Sequence, residues 1–275
     1  MKKIRSLLIG AVLIAATAVS ASAGPITLPT DGAVTVLKYT NWEKVVQGTN
    51  AGNNQLAIDA GDTIVGILKV SSIDDLAGSG QTYNSSSQYE LTGVFSLSVL
   101  TGSITLGTPS PGGTVTFGMG ANDYFNIYYD SAKNFNSQAA NSTALASDGN
   151  LWLSIAGSDY LVGKGVAAVN DTKTLNTNWA NISVNNTGYE FAKEIWPAVI
   201  GQILGTDQIL SDLYFEGKVT DLVGASTYQE GWTFKSEDPL YAVAVPEPGT
   251  MLLLGTGLAG LAIAARRRQY KNKEV

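Results

Sequence analysis

Cysteine and histidine are both absent from this 275-residue sequence. Without cysteine, an exported chain has no disulfide bonds, so its fold must rest on packing alone. The two absences also exclude a Ser-His-Asp triad, a cysteine nucleophile, a histidine general base, and the usual zinc and copper sites. We therefore expect no cofactor and no such metal centre. Carboxylates, lysine, tyrosine, serine and threonine remain as the groups available for catalysis.

Basic side chains are scarce in the central part of the sequence. Between Gly24 and Val245 there are 9 Lys or Arg residues and 21 Asp or Glu residues, a net charge of −12. Nucleic acids and anionic membranes need a basic partner surface, so we expect neither as a ligand of this region. An acidic balance suits a soluble surface protein, and it would also suit cation binding.

The N-terminal residues 1–23 have the three parts of a secretory signal peptide. A positively charged start is followed by an apolar stretch from Leu7 to Val19 and by an Ala-Ser-Ala cleavage site ending at Ala23. We expect signal peptidase to remove this segment, so that the mature chain begins near Gly24.

The C-terminal residues 246–270 contain a second apolar segment. Pro246, Glu247 and Pro248 precede 17 uncharged residues. A helix of that length spans roughly 25 Å, slightly less than the ~30 Å hydrocarbon core of a bilayer. We therefore predict a transmembrane helix over 249–265 that halts export. A cytoplasmic arginine cluster follows it: Arg266, Arg267 and Arg268.

This order of a Pro-Glu-Pro triplet, a short Gly/Leu-rich apolar segment and an arginine cluster resembles the PEP-CTERM protein-sorting signal. The resemblance covers residues 246 to about 268 and implies a Gram-negative bacterium, often one that makes exopolysaccharide. It also implies an inner-membrane exosortase that recognises the triplet and cuts near it. The processed body would then leave the inner membrane for the cell surface or extracellular matrix. The alternative is a permanent one-span anchor whose triplet is a stiff linker.

The body, residues 24–245, consists mainly of strand-like runs separated by Gly-, Ser-, Asn- and Pro-rich turns. Their spacing predicts an antiparallel β-sandwich or jelly-roll-like fold with one or two short helices. A helix is predicted over 188–205, where apolar side chains recur at every fourth residue, and a capped helical turn over 206–213. The predicted strands cover residues 33–39, 62–70, 90–100, 114–119, 123–130, 151–157, 160–169, 212–223 and 231–245.

The sequence DYFNIYYD is the leading candidate for a binding surface. On a strand, Tyr124, Asn126, Tyr128 and Asp130 share one face. They combine aromatic rings with hydrogen-bonding groups, as sugar-binding platforms do. The alternative is a tyrosine-rich ladder that only stabilises the sheet.

Two tryptophans lie among polar residues and are candidates for stacking on a sugar: Trp42 in TNWEK and Trp179 in NTNWAN. Packing in the core or at its rim is the alternative for both, since partly buried tryptophans are common. Trp152 and Trp232 lie in strand-like runs and are expected in the core.

Carboxylates offer two weaker possibilities. Asp59 and Asp62 flank Gly61 and could contribute to a Ca²⁺ site, although a solvated turn without metal is the alternative and no EF-hand spacing is present.

A glycosidase would need two carboxylates that face a cleft. Several glutamates are available, but nothing in the sequence pairs them: Glu190, Glu194, Glu216, Glu230 and Glu237.

The sequence as a whole predicts a non-enzymatic, exported surface or matrix protein that exosortase processes and that associates with exopolysaccharide in a biofilm or floc. The first alternative is a permanently membrane-anchored module that binds a carbohydrate or Ca²⁺. The second is a carboxylate-dependent polysaccharide hydrolase or lyase.

Overall fold

The computed structural model consists almost entirely of antiparallel β-strands. The predicted signal peptide, residues 1–23, lies outside the residues that it describes. The described residues are 26–29, 34–46, 48, 57–76, 81–84, 87–105, 114–157, 165–170, 173–196, 209–222, 227–246, 255–261 and 263.

Two short helices interrupt the strands in the described part of the chain. Helix α1 covers Ser142–Leu145, and residues 255–261 form α2. The strands are β1 (Thr35–Val46), β2 (Ala57–Asp59), β3 (Thr63–Asp75), β4 (Gln81–Asn84), β5 (Glu90–Thr105), β6 (Thr114–Gly118), β7 (Tyr124–Asp130), β8 (Asn150–Ala156), β9 (Gly165–Asn170), β10 (Lys173–Ala180), β11 (Val184–Asn185), β12 (Tyr189–Phe191), β13 (Glu194–Trp196), β14 (Ile209–Ser211), β15 (Leu213–Leu222), β16 (Phe234–Ala242) and β17 (Ala244–Pro246).

The main sheet curls until it closes on itself. Strand β5 pairs with β3 along one edge, and with β7 and then β6 along the other. From β6 the pairings continue through β9, β10, β15, β16 and β1 back to β3, while β8 and β11 extend the sheet beyond β7. The prediction of a mainly-β, antiparallel, sandwich-like body with short helices is therefore confirmed.

Alternating side chains give the curled sheet an inner and an outer face. On β1, for example, Tyr39, Asn41, Glu43 and Val45 are buried, whereas the residues between them are partly exposed. The inner face thus takes polar as well as apolar side chains from this strand.

Aromatic rings from several strands fill the interior. The ring centroid of Phe125 on β7 lies 5.9 Å from that of Phe95 on β5 and 5.1 Å from that of Phe215 on β15. Tyr39 on β1 lies 6.2 Å from the same ring. Because the chain has no cysteine, apolar contacts of this kind, together with the strand hydrogen bonds, hold the fold.

The helix predicted over 188–205 is wrong where the structure describes it. Strands β12 and β13 occupy this stretch and pair with β17 and β14. Gly188 has a φ of +82°, a left-handed conformation typical of turns. Tyr189 and Phe191 pack against the main core, so tertiary packing outweighs the helical periodicity of the sequence. Residues 197–205 lie outside the described residues.

Two further stretches differ from the predictions. The described part of 206–213 contains strand β14 where a helical turn was expected. Strand β10 forms in a run whose polar side chains gave no strand signal. Both of its neighbours, β9 and β15, pair with it. Pairing with neighbouring strands therefore determines the structure of β10, and local residue propensities do not predict such pairing.

We predict that Gly93→Ala destabilises the body by about 1–3 kcal/mol. Gly93 lies on β5 between β3 and β7, and an added methyl group would collide with the backbone carbonyl of Asn126. Relieving this collision requires one of these strands to move. The urea midpoint of unfolding measures the effect, provided that the m-value stays constant. In the matched variant Gly118→Ala the methyl group meets only the Leu100 side chain, which is exposed. Equal losses in both variants would contradict the prediction.

Candidate functional site

Three of the aromatic residues singled out from the sequence meet on the outer face of the sheet. Trp42, Tyr124 and Tyr128 are partly buried in one cluster, although β1 and β7 are separated by β3 and β5. The shared outward face expected for Tyr124 and Tyr128 is therefore present. The cluster also contains Phe135 from the segment after β7, and Ile67, Val65, Val94, Ala146, Tyr228 and Trp232.

Polar members of the same predicted platform make bonds within the chain. The Asn126 carboxamide accepts a hydrogen bond from the Ser154 hydroxyl at 2.6 Å and donates one to the Tyr128 hydroxyl at 3.3 Å. Asp130 accepts from the backbone N–H of Ala132 at 3.0 Å. These bonds and the apolar cluster fix the platform residues in the packing of the sheet, and their role in binding stays a prediction.

An open groove lies next to this cluster, over the outer face of β3, β1 and β16. Its main part has a volume of about 830 Å³, and it continues into a recess of about 180 Å³. Thr40 and Ser71 line both parts, so the two form one continuous surface, called here the outer groove. Its walls combine aromatic rings with hydroxyl and amide groups: Trp42, Tyr89, Tyr241, Thr40, Ser71 and Gln81.

Two pairs of charged side chains in the outer groove form ion pairs. The Lys38 ammonium lies 2.9 Å from the Asp74 carboxylate, and Lys69 lies 3.1 Å from Glu90. Partial burial alone would raise the pKa of Asp74, but the bonds from Lys38 and Ser72 outweigh it and lower that pKa below its usual value. These two ion pairs therefore hold four of the charged side chains that line the groove in place.

Tyr241 contributes a phenol hydroxyl to the groove. Its hydroxyl donates to Glu216 at 3.2 Å. Burial, together with the negative charge of Glu216, raises the pKa of Tyr241 to about 12. The phenol consequently keeps its proton at physiological pH.

A buried carboxyl pair lies inside the curled sheet and was missed by the sequence analysis. The Asn41 amide group donates to both Glu43 and Asp238, at 2.8 Å in the second case. The Ser236 hydroxyl also donates to Glu43, at 3.0 Å. All four side chains are buried. Asn41 and Asp238 lie 197 positions apart in the chain, and only the pairing of β1 with β16 joins them.

The interior perturbs the proton affinity of this pair. Burial, reinforced by the charge of Asp238, raises the pKa of Glu43 to about 8, although the bonds from Ser236 and Asn41 act in the opposite direction. Burial and the same two carboxyls raise the pKa of Tyr39 well above its usual value. A carboxyl of this pair therefore tends to hold a proton under conditions in which exposed carboxyls are ionised.

Trp179 packs inside the protein, which is the alternative to stacking on a sugar. Its exposed fraction is 2 %, and its ring centroid lies 5.9 Å from that of Tyr214. Register places Trp179 on β10 opposite Tyr214 on β15. Trp152 and Trp232 are buried, as expected.

The structure gives Asp62 a role in a turn. Its carboxylate accepts hydrogen bonds from the backbone N–H groups of Gly48 at 3.2 Å and Asp59 at 2.8 Å. Gly61 has a φ of +92°, so the turn needs glycine at this position. Asp62 thus contributes to the link between β2 and β3, and a Ca²⁺ role for Asp59 and Asp62 stays an expectation.

Two of the glutamates considered for catalysis make hydrogen bonds within the chain. Glu216 accepts from the hydroxyls of Tyr214 and Tyr241. Glu230 accepts from the backbone and hydroxyl of Thr143. The two carboxyls that do share a neighbour are Glu43 and Asp238.

The last strand that the structure describes reaches the first residue of the sorting triplet. Strand β17 pairs with β12, and Pro246 lies opposite Tyr189. Residues 247–254 lie outside the described residues. Helix α2 follows, with Leu258 and Leu261 exposed. Within the described part of the chain, no helix has the length and apolar character needed to cross a membrane.

Comparison with protein families identifies this C-terminal segment. Residues 244–268 match a PEP-CTERM protein-sorting motif. The chain therefore carries the sorting motif that the resemblance of residues 246 to about 268 predicted. No curated protein matches the sequence. The motif implies export, processing by an exosortase, and transient membrane sorting on the way to the cell surface. The PEP-CTERM match begins at Ala244, so it overlaps the last strand of the body.

We predict that the protein is more stable in mild acid than at slightly alkaline pH. The Glu43 carboxyl has an ordinary pKa of 4.5 and a folded-state pKa of about 8. The folded state therefore binds this proton more tightly than the unfolded state. The resulting stabilisation is complete below about pH 4.5 and is lost as the pH rises through about 8.

Thermal unfolding in chelator-treated buffer across this pH range measures the effect. Glu43→Gln removes the titrating group and should flatten the dependence, whereas Glu237→Gln alters an exposed neighbour of Asp238 and should not. If the wild-type protein and Glu43→Gln show the same slope of Tm against pH, the carboxyl pair does not govern the pH dependence.

Proposed function

We propose that this PEP-CTERM protein is a non-enzymatic component of the cell exterior that binds a neutral polysaccharide in its outer groove. The observation that carries the proposal is the continuity of the groove with the recess at Trp42 through Thr40 and Ser71. A continuous channel of this kind suits an extended chain. Aromatic rings can stack on the apolar faces of sugar rings, while hydroxyl and amide groups bind sugar hydroxyls.

The charge distribution supports a neutral polysaccharide over an acidic one. The body carries a net charge of −12, which repels a polyanion. Two lysines that line the groove, Lys38 and Lys69, already pair with carboxylates of the chain. An acidic polysaccharide would have to compete with those carboxylates.

Two observations support binding rather than hydrolysis. Asp74 and Glu90 in the outer groove are engaged by lysines. The carboxyls of Glu43 and Asp238 line a cavity of only about 60 Å³, whereas ligand pockets usually measure roughly 300–1,000 Å³. Asp75, Glu237 and Asp238 also line the groove, and the Glu237 carboxylate lies 3.7 Å from the Lys235 ammonium.

The sorting segment supports a surface or matrix location for the mature protein. Because β17 pairs with β12 up to Pro246, a cut beyond this residue would leave every strand that the structure describes intact. Exopolysaccharide in a biofilm or floc is the ligand source that such a location makes accessible. Permanent anchoring is the competing outcome.

Tyr89→Ala should weaken polysaccharide binding about 2–10-fold, because an aromatic contact contributes ~0.5–1.5 kcal/mol. Electrophoretic retardation in gels that contain neutral glucans, or matrix polysaccharide from the producing cells, measures the affinity. Leu210→Ala, at an exposed position on β14, is the control and should bind like the wild type. Equal retardation of the wild type and Tyr89→Ala would contradict the assignment of the groove, as would no retardation of the wild type in any of these gels.

Glu247→Ala should trap the tailed protein in the inner membrane. Glu247 is the central residue of the triplet and follows the last strand of the body, so the folded body should be unaffected. Intact mass combined with cell fractionation measures the outcome. The wild type should run from about Gly24 to near Pro246 and appear outside the inner membrane. Release of the variant at the wild-type level, or a wild-type protein that keeps Arg266–Arg268, would contradict exosortase processing.

A further inference from the structure

The recess lies at one end of the outer groove. Along β1, Lys38 lines the main part of the groove, Thr40 lines both parts, and Trp42 lines the recess. The paired strand β3 shows the same order, since residues 74–76 line the main part and residues 69–70 line the recess. A polysaccharide chain that follows the main part along these strands therefore arrives at the recess.

The aromatic cluster of the outer face lies directly beyond the recess. Trp42 belongs to both, and the cluster continues along β3 to Ile67 and Val65, away from the main part of the groove. The ring centroid of Phe135 lies 5.6 Å from that of Trp42, and the Lys69 ammonium lies 5.5 Å from the Phe135 ring. Phe135 thus packs behind two of the side chains that line the recess. A sugar chain that enters the recess from the groove meets this cluster and cannot continue.

Buried hydrogen bonds hold Phe135 in this position. The Glu90 carboxylate accepts from the backbone N–H of Phe135 at 2.8 Å and from the Lys69 ammonium at 3.1 Å, and its exposed fraction is 2 %. The Lys133 ammonium donates to the carbonyl of Ser87 at 3.0 Å. Lys133 has a φ of +52°, which is uncommon for a residue with a side chain. The segment that carries Phe135 is therefore tied to the sheet at two points, and the far wall of the recess is fixed.

The recess has the size and lining of a site for one sugar ring. Its volume of about 180 Å³ equals about six water molecules at ~30 Å³ each, roughly what a pyranose ring and its hydroxyl groups displace. Val70 and Tyr83 line it and are buried, while Trp42 and Tyr89 add aromatic surface. The main part, at about 830 Å³, has room for several further rings.

We propose that the recess binds the terminal residue of a polysaccharide chain, so that the protein recognises chain ends. The preceding sugar residues lie in the main part of the groove, and the last ring packs against Trp42 and Tyr89. Internal residues cannot occupy the recess, because the chain would have to pass through the wall formed with Phe135. One protein therefore attaches to each bound end. This assignment rests on the proposed binding of a neutral polysaccharide in the outer groove.

Titration calorimetry with a long and a short size fraction of one linear neutral glucan tests the proposal. The probe is pullulan, or another linear glucan if it retards the wild type more strongly in the gels. Both fractions should bind one protein per glucan chain, with Kd values per chain that agree within about 2-fold. Borohydride reduction opens the ring at the reducing end. Lost binding after reduction assigns the recess to that end, and unchanged binding assigns it to the other end.

A number of bound proteins that rises with glucan length would overturn end recognition, although binding in the groove would stand. If the wild type binds neither fraction and no gel retards it, both the end recognition and the proposed function are wrong. The two failures are therefore distinguishable.

Matched variants locate the closed end. Phe135→Ala opens the far wall, so the number of proteins bound per chain should rise with glucan length. Tyr89→Ala should weaken binding about 2–10-fold and keep one protein per chain. Leu210→Ala, at an exposed position on β14, should match the wild type in both respects. A folded Phe135→Ala protein that still binds one per chain would contradict the assignment of the far wall. If that variant fails to fold, the wild-type stoichiometry decides.

Discussion

The pairing of β5 with β3 is the constraint on which the rest of the structure depends. This pairing joins the two ends of a path that otherwise runs from β5 through β6, β9, β10, β15, β16 and β1 to β3. Closure removes the free edges of these strands and creates an interior that is shielded on several sides. A chain without disulfides can then hold its fold through strand hydrogen bonds and the rings packed around Phe125.

Closure also explains why one strand contributes to two different environments. Along β1, Asn41 and Glu43 turn inward to the carboxyl pair, while Thr40 and Trp42 face the outer groove. The two-residue period of a strand separates these sets without any change in backbone direction. The small cavity that holds the carboxyl pair and the large groove can therefore lie on opposite sides of the same strand.

Strand-rich composition and turn chemistry were enough to predict the fold class and most long strands, because those signals are local. The sequence left open whether Trp179 is exposed or packed, and its burial follows from the pairing of β10 with β15. The helix was predicted incorrectly because Tyr189 and Phe191 pack in short strands. The groove and the carboxyl pair combine residues far apart in the chain. No local pattern could place Asn41 beside Asp238, since their contact exists only through the β1–β16 register.

The sorting motif could be identified from the sequence because its parts lie next to one another in the chain. Exosortase recognition requires a short linear segment, so the triplet, the apolar stretch and the arginines remain adjacent in sequence. The structure adds that the match overlaps the body by one strand, since β17 spans Ala244–Pro246 and pairs with β12. Folding of the body therefore fixes the position at which the sorting segment begins. Residues beyond Pro246 follow the last described strand of the sheet, so the described strands do not include Glu247 and Pro248 of the triplet.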